Sequence, residues 1–266
     1  MTTLTLPTTA AVTRLAPLTA EVTFIKRSII HTLRTPDALV MAIALPSILM
    51  LLFTYVFGGA IEEDGSYVNY VVPGIILLCA GFGSSSVAVD VANDMQTGII
   101  DRFRTMPLRA SAVITGHVVA SVLRNLLATG VVIVVGVLVG FRPNATFLDW
   151  VAMIGLIALY ILAITYLFAA IGLASSGPEA AGSFGFILLF VPYVSSAFVP
   201  IQTLPVWLRW VAENQPLTPI IESIRSFLTG TELGANGWLA LGWCLVILVV
   251  ALVWSRVTFR QKAGRR

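Results

Sequence analysis

Long stretches of the chain are apolar without interruption and without alternation of hydrophobic and polar positions. Six runs are long enough to cross about 30 Å of hydrocarbon at about 1.5 Å per residue: residues 37–58, 69–92, 110–140, 148–174, 181–201 and 237–258. They lack the period of two that marks barrel strands, and an open sheet in lipid would leave backbone groups unpaired, so helices are predicted. The first run carries start signals, with Thr35 able to cap, Pro36 at the first helical position and Asp37 near the positive end of the helix dipole.

Three segments depart from this pattern. Residues 18–34 place Leu18, Val22, Ile25, Ile29 and Leu33 on one helical face, with Lys26, Arg27, His31 and Arg34 elsewhere around the helix. That is an amphipathic helix for the inner membrane surface, either a lipid anchor or an elbow that also touches a cytoplasmic partner. Between the second and third runs, NDMQTGIIDRFRTMPLRAS mixes both charge signs with Ile99, Ile100, Phe103 and Met106. Such a segment either lies flat on lipid or docks a partner, its apolar side chains filling a pocket while charges set orientation at the rim.

The third segment, residues 199–236, is too apolar for a solvated loop and is predicted to form two short helices. Pro205 opens the first, which carries Trp207 and Trp210; Thr218 and Pro219 open the second, which Gly230 ends. A partly re-entrant lid and a cap lying on the surface both fit the pattern. Glu222 and Arg225 have the spacing of a helical ion pair.

Composition agrees with a membrane protein. Of 266 residues, 58% are hydrophobic and 11% charged, and the mean hydropathy is +0.93. That leaves too little polar surface for a soluble globule and excludes disordered, collagen-like and disulfide-stapled classes. Only Cys79 and Cys244 occur, both inside apolar runs, where a small packing residue is expected.

The net charge of +3 forms no nucleic-acid patch but reports topology. With the N-terminus inside, Arg14, Lys26, Arg27, Arg34, Arg102, Arg104, Arg109, Arg256, Arg260, Lys262, Arg265 and Arg266 are cytoplasmic, against Arg142, Arg209 and Arg225 outside. That asymmetry predicts both termini in the cytoplasm. Residues 1–17 lack the basic start and apolar core of a signal peptide and are expected to be a flexible cytoplasmic tail. The layout is thus a tail (1–17), an interfacial helix (18–35), a transmembrane domain (36–259) and a basic tail (260–266).

The chemistry of a membrane enzyme is missing. The two histidines are His31, on the surface helix, and His117, near the inner end of the third run, where an interfacial or packing role is expected. No His, Glu, Asp and Cys spacing suggests a metal site, and no dinucleotide fingerprint occurs. The lysines, Lys26 and Lys262, follow Ile25 and Gln261, so no Walker A loop exists and an ATP-driven motor would have to be another polypeptide. Intramembrane polar candidates are Asp90, His117, Arg124 and Asn125. The third run is about 31 residues, longer than one crossing needs. Arg124 therefore either snorkels to the inner headgroups or serves a substrate or ion.

Four strings carry a family resemblance: LPSILMLLFTYVFGGAI, YVNYVVPGII, TGIIDRFRTMPLRASAVITG and NQPLTPIIESIR. They resemble the permease subunits of type-2 ABC exporters, particularly the daunorubicin-resistance type, over nearly the whole chain. The most specific match is Gly98, Asp101, Arg102, Phe103, Arg104, Met106, Pro107 and Leu108 in that order. The resemblance implies an all-α integral membrane protein with six transmembrane helices, an N-terminal amphipathic elbow helix and short external helices before the last span.

It further implies a half-transporter that exports hydrophobic or amphipathic compounds, as in drug or natural-product efflux. Lipid or polysaccharide export is the alternative within the family, and an ion-coupled carrier or polytopic enzyme lies outside it. The implied partners are a second permease, identical or paralogous, membrane lipid, and a cytoplasmic ABC ATPase that holds ATP and Mg, with no cofactor in this chain and no nucleic acid. ATPase coupling would fall to Asp94, Gln96, Gly98, Ile100, Asp101, Arg102, Phe103 and Arg104. Apart from the resemblance, the lid reading of residues 199–236 makes Trp207, Trp210, Pro216, Glu222 and Arg225 a candidate external gate. Pro216, Leu217 and Arg225 fit the family pattern before the last span, but Pro219 stands where a polar residue is expected.

Overall fold

The computed structural model describes residues 36–61, 67–97, 111–188 and 190–264, and every regular element among them is helical. Eight α-helices longer than a single turn follow in order among the described residues: α1 (Pro36–Leu52), α2 (Tyr67–Gln96), α3 (Ser111–Val139), α4 (Phe147–Ala174), α5 (Pro178–Leu188), α6 (Val206–Asn214), α7 (Leu217–Thr229) and α8 (Asn236–Gly264). The amphipathic segment 18–35, the cap at Thr35, the first loop at 62–66 and most of the charged connection at 98–110 lie outside the described residues.

Among the described residues, five helices are long and apolar enough to span a membrane: Leu39–Phe57, Tyr67–Gln96, Thr115–Val139, Phe147–Ala174 and Asn236–Phe259. The first includes a π turn, Phe53–Phe57, before a last helical turn at Gly58–Ile61. The fourth starts on a capping box: Thr146 Oγ1 accepts from the Asp149 amide at 3.3 Å, and Asp149 Oδ2 accepts from the Thr146 amide at 2.9 Å.

The fifth predicted run is where the structure differs from a count of six uninterrupted spans. Helix α5 has 11 residues, about 16 Å of rise. The chain then turns through a 3-10 segment, Val191–Val194, whose second residue is Pro192. Proline lacks the amide that an α-helix would need there, so an apolar run long enough to cross is divided into a half-length helix and an irregular segment.

Helix α2 is the centre of the bundle. In its most apolar window 72% of residues are buried, against 17–50% in the other four spans. It packs on α1, α3, α4 and α5, while α8 covers α4. Close approach depends on small residues, since a Cβ on Gly172 of α4 would stand 2.4 Å from the Ala88 carbonyl of α2. Cys79 and Cys244 are buried and unbridged.

Candidate functional site

The polar side chains gather at three levels along α2: the end that leads into segment 98–110, the middle, and the end covered by the α6–α7 hairpin.

At the first end, His117 Nε2 and Asp94 Oδ2 are 2.8 Å apart, joining α3 to α2 just before the charged connection. Gln96 Nε2 donates to the Ser176 carbonyl at 3.2 Å, tying the last turn of α2 to the α4–α5 turn. Asp94 and Gln96 are thus engaged within the chain. The other six residues of the coupling set, Gly98, Ile100, Asp101, Arg102, Phe103 and Arg104, lie outside the described residues.

In the middle, Arg124 Nη2 donates to the Gly83 carbonyl at 2.8 Å and to Ser86 Oγ at 2.7 Å. Arg124 sits near the centre of its 29-residue helix, and its guanidinium reaches across to α2. Both bonds tie α3 to α2 within the chain. Asn125 is buried and donates to Ser84 Oγ and Ser121 Oγ, both at 3.1 Å, while Thr165 of α4 donates to Ser84 Oγ at 3.0 Å. Ser84 in turn donates to the Ala80 carbonyl at 2.8 Å. A polar knot therefore binds α2, α3 and α4 inside the apolar bundle, where each unpaired group would be costly. Asp90 is exposed, one turn along α2 from Ser86.

Sequence reading found Arg124 and Asn125 but not Ser84, Ser86, Ser121 and Thr165. The available signal was the serine triplet Ser84–Ser85–Ser86, unusual in an apolar run.

At the other end the hairpin enters the bundle. The 13-residue α7 buries Leu217, Ile220, Ile221, Ile224 and Leu228, packing on α2, α4 and α8. Its first residue, Leu217, lines one cavity together with Leu78, Tyr160 and Ile247. Those residues lie about 16–20 Å along α2, α4 and α8 from the hairpin ends of these helices. Helix α7 therefore packs into the helical bundle along its apolar face. It begins at Leu217, with Pro216 as N-cap, so Pro219 occupies the third helical position. A proline is tolerated there because the first-turn amides have no intrahelical acceptor. Thr218 Oγ1 donates to the Ala212 carbonyl at 2.6 Å instead of capping. Gly230 ends the helix at φ +70°, a left-handed conformation suited to glycine.

Arg225 fastens this helix. It pairs with Glu222, as its spacing predicts, and Nη2 also donates to the Ser196 carbonyl at 2.8 Å and the Tyr70 carbonyl at 3.2 Å. Its guanidinium carbon lies 3.9 Å from the centre of the Tyr70 ring. Tyr67 Oη donates to the Phe198 carbonyl at 2.7 Å. Trp207 and Trp210 are not part of this cluster; they are 72% and 69% exposed on α6, as aromatic rings facing lipid or its interface would be. Tyr70 and Ser196 were not foreseen, because their contacts with Arg225 span 155 and 29 residues of sequence. Among the described residues no three of His, Cys, Asp and Glu gather as metal ligands.

Residues 19–229 match the family model described as ABC-2 type transporter. The daunorubicin resistance ABC transporter permease protein DrrB1 of Streptomyces coeruleorubidus is 28% identical over 220 residues, covering 82% of this chain and 78% of that one. The probable doxorubicin resistance ABC transporter permease protein DrrC of Mycobacterium tuberculosis is 24% identical, covering 83% and 80%. The putative transport permease ycf38 of Cyanophora paradoxa is 25% identical, covering 85% and 82%.

Proposed function

The chain belongs to the ABC-2 type transporter family, and from that premise we propose that it is the membrane-spanning permease of an ATP-driven exporter of hydrophobic or amphipathic compounds. The family match over residues 19–229 carries this reading, and the resistance permeases among its relatives support a drug-like cargo. ATP and Mg belong to a separate cytoplasmic ATPase, because neither Lys26 nor Lys262 stands in a phosphate-binding loop. Both termini and segment 98–110 face the cytoplasm, in keeping with the charge asymmetry. A second permease, identical or paralogous, completes the conduit.

Helix α2 is the transmission element. Its 30 residues make a rod of about 45 Å. At the cytoplasmic end it carries Asp94 and Gln96 and runs into Gly98, Ile100, Asp101, Arg102, Phe103 and Arg104, which contact the ATPase. Arg124 and Asn125 lock its middle to α3. At the outer end Tyr67 and Tyr70 hold the segment and hairpin fastened by Arg225. A displacement imposed by the ATPase at one end therefore reaches the outer gate through one helix and a few directional bonds.

The docking assignment is tested by co-purification with the ATPase encoded beside the gene. Charge reversal at Asp101→Lys with Arg102→Glu is expected to abolish co-purification while the chain still inserts in the membrane. Undiminished binding and transport would contradict the assignment.

A further inference from the structure

Helices α2, α4 and α8, with Pro192 and the first turn of α7, enclose a cavity of about 190 Å³. Leu78, Phe168, Leu217 and Ile247 line it, and no charged side chain does. Tyr160 also lines it, midway along α4 and 3% exposed. The Tyr160 hydroxyl makes no hydrogen bond among the described residues, and it borders the cavity rather than being sealed away from it. A phenol beside an apolar cavity without an acceptor is a net cost that a phenylalanine would avoid.

The possible occupants differ in what they offer that hydroxyl. Water needs two to four polar partners, and Tyr160 alone would supply them. An acyl chain brings no acceptor to mid-membrane, because lipid ester groups lie about 15 Å away at the edge of the hydrocarbon. Ile164 and Leu167 on the cavity wall are half-buried, so the cavity is not sealed on the α4 side. Its volume is a little above the roughly 150 Å³ of an apolar cavity that takes benzene, and below the roughly 300 Å³ at which drug-sized pockets begin.

We propose that this cavity is a binding subsite for one ring unit of an apolar compound bearing a carbonyl or similar acceptor, which the Tyr160 hydroxyl hydrogen-bonds at mid-membrane. The subsite deepens the export reading and rests on it for the identification of its occupant as cargo. It lies within one copy of the chain, and the first turn of α7 forms part of its wall, so rearrangement of α7 would change its shape.

The test uses benzophenone, an aryl ketone that inserts into neighbouring C–H bonds on irradiation, with the purified full chain in lipid nanodiscs and adducts mapped by mass spectrometry. Saturable labelling on α2, α4, α7 and α8 around the cavity is expected. Tyr160→Phe should lower its apparent affinity about fivefold, the weight of one ordinary hydrogen bond. Ile164→Trp, which fills the mouth, should remove cavity labelling while both variants elute as the parent does. Labelling that does not saturate, that spreads along exposed helix faces, or that is unchanged in Tyr160→Phe would overturn the proposal. The ATPase is not needed, so a labelled chain that exports nothing would count against the export reading alone, and export without cavity labelling against the subsite alone.

Discussion

Arg225 holds α7 to two other parts of the chain while its side chain is only 13% exposed. Arg225→Ala removes charge-assisted bonds to Ser196 and Tyr70 and leaves Glu222 without its partner. A loss of about 2–4 kcal/mol is expected, read as a lowered unfolding midpoint in detergent. Arg225→Lys should lose less, keeping the charge but not the planar fork. The mid-membrane knot sets a steric requirement as well. A Cβ on Gly83 would stand 1.5 Å from Asn125 Oδ1, so Gly83→Ala should destabilise by about 1–3 kcal/mol, with partial recovery when Asn125→Ala is added. Arg225 and Asn125 were legible as polar residues in an apolar setting. Their partners were not, since hydropathy shows that a buried charge needs satisfaction without showing which distant carbonyl or serine supplies it.

Among the elements, α5 and α7 separate what composition reveals from what backbone chemistry decides. Residues 181–201 are apolar enough for a span, but Pro192 lies inside a 3-10 turn and the helix stops at Leu188. Residues 217–229 are too short to cross, and they are buried because the hairpin folds back into the bundle. Sequence pattern left a lid and a surface cap equally open here, since both expose some apolar side chains and bury others; what it did not show is the packing on three spans. Cysteine labelling tests the re-entrant reading in membranes. With Cys79 and Cys244 replaced by alanine, Glu232→Cys should react rapidly with an externally added impermeant maleimide and Leu217→Cys hardly at all. Comparable rates would place α7 on the surface instead.

For the whole molecule, uniform hydropathy was sufficient to specify a helical membrane protein, because helices satisfy their own backbone in lipid and need no partner strand. The charged side chains were informative in proportion to their scarcity. Their distribution predicts orientation, and the absence of a phosphate-binding loop predicts dependence on another polypeptide. On the proposed function the chain is a conduit in which α2 connects a cytoplasmic docking segment to an outer gate, driven by a motor it does not contain. The most direct test is uptake of doxorubicin into sealed proteoliposomes that hold this permease, with and without the ATPase encoded beside it and any companion permease. ATP-dependent accumulation only when the ATPase is present is the expected result; accumulation by this chain alone, driven by a proton gradient without ATP, would contradict it.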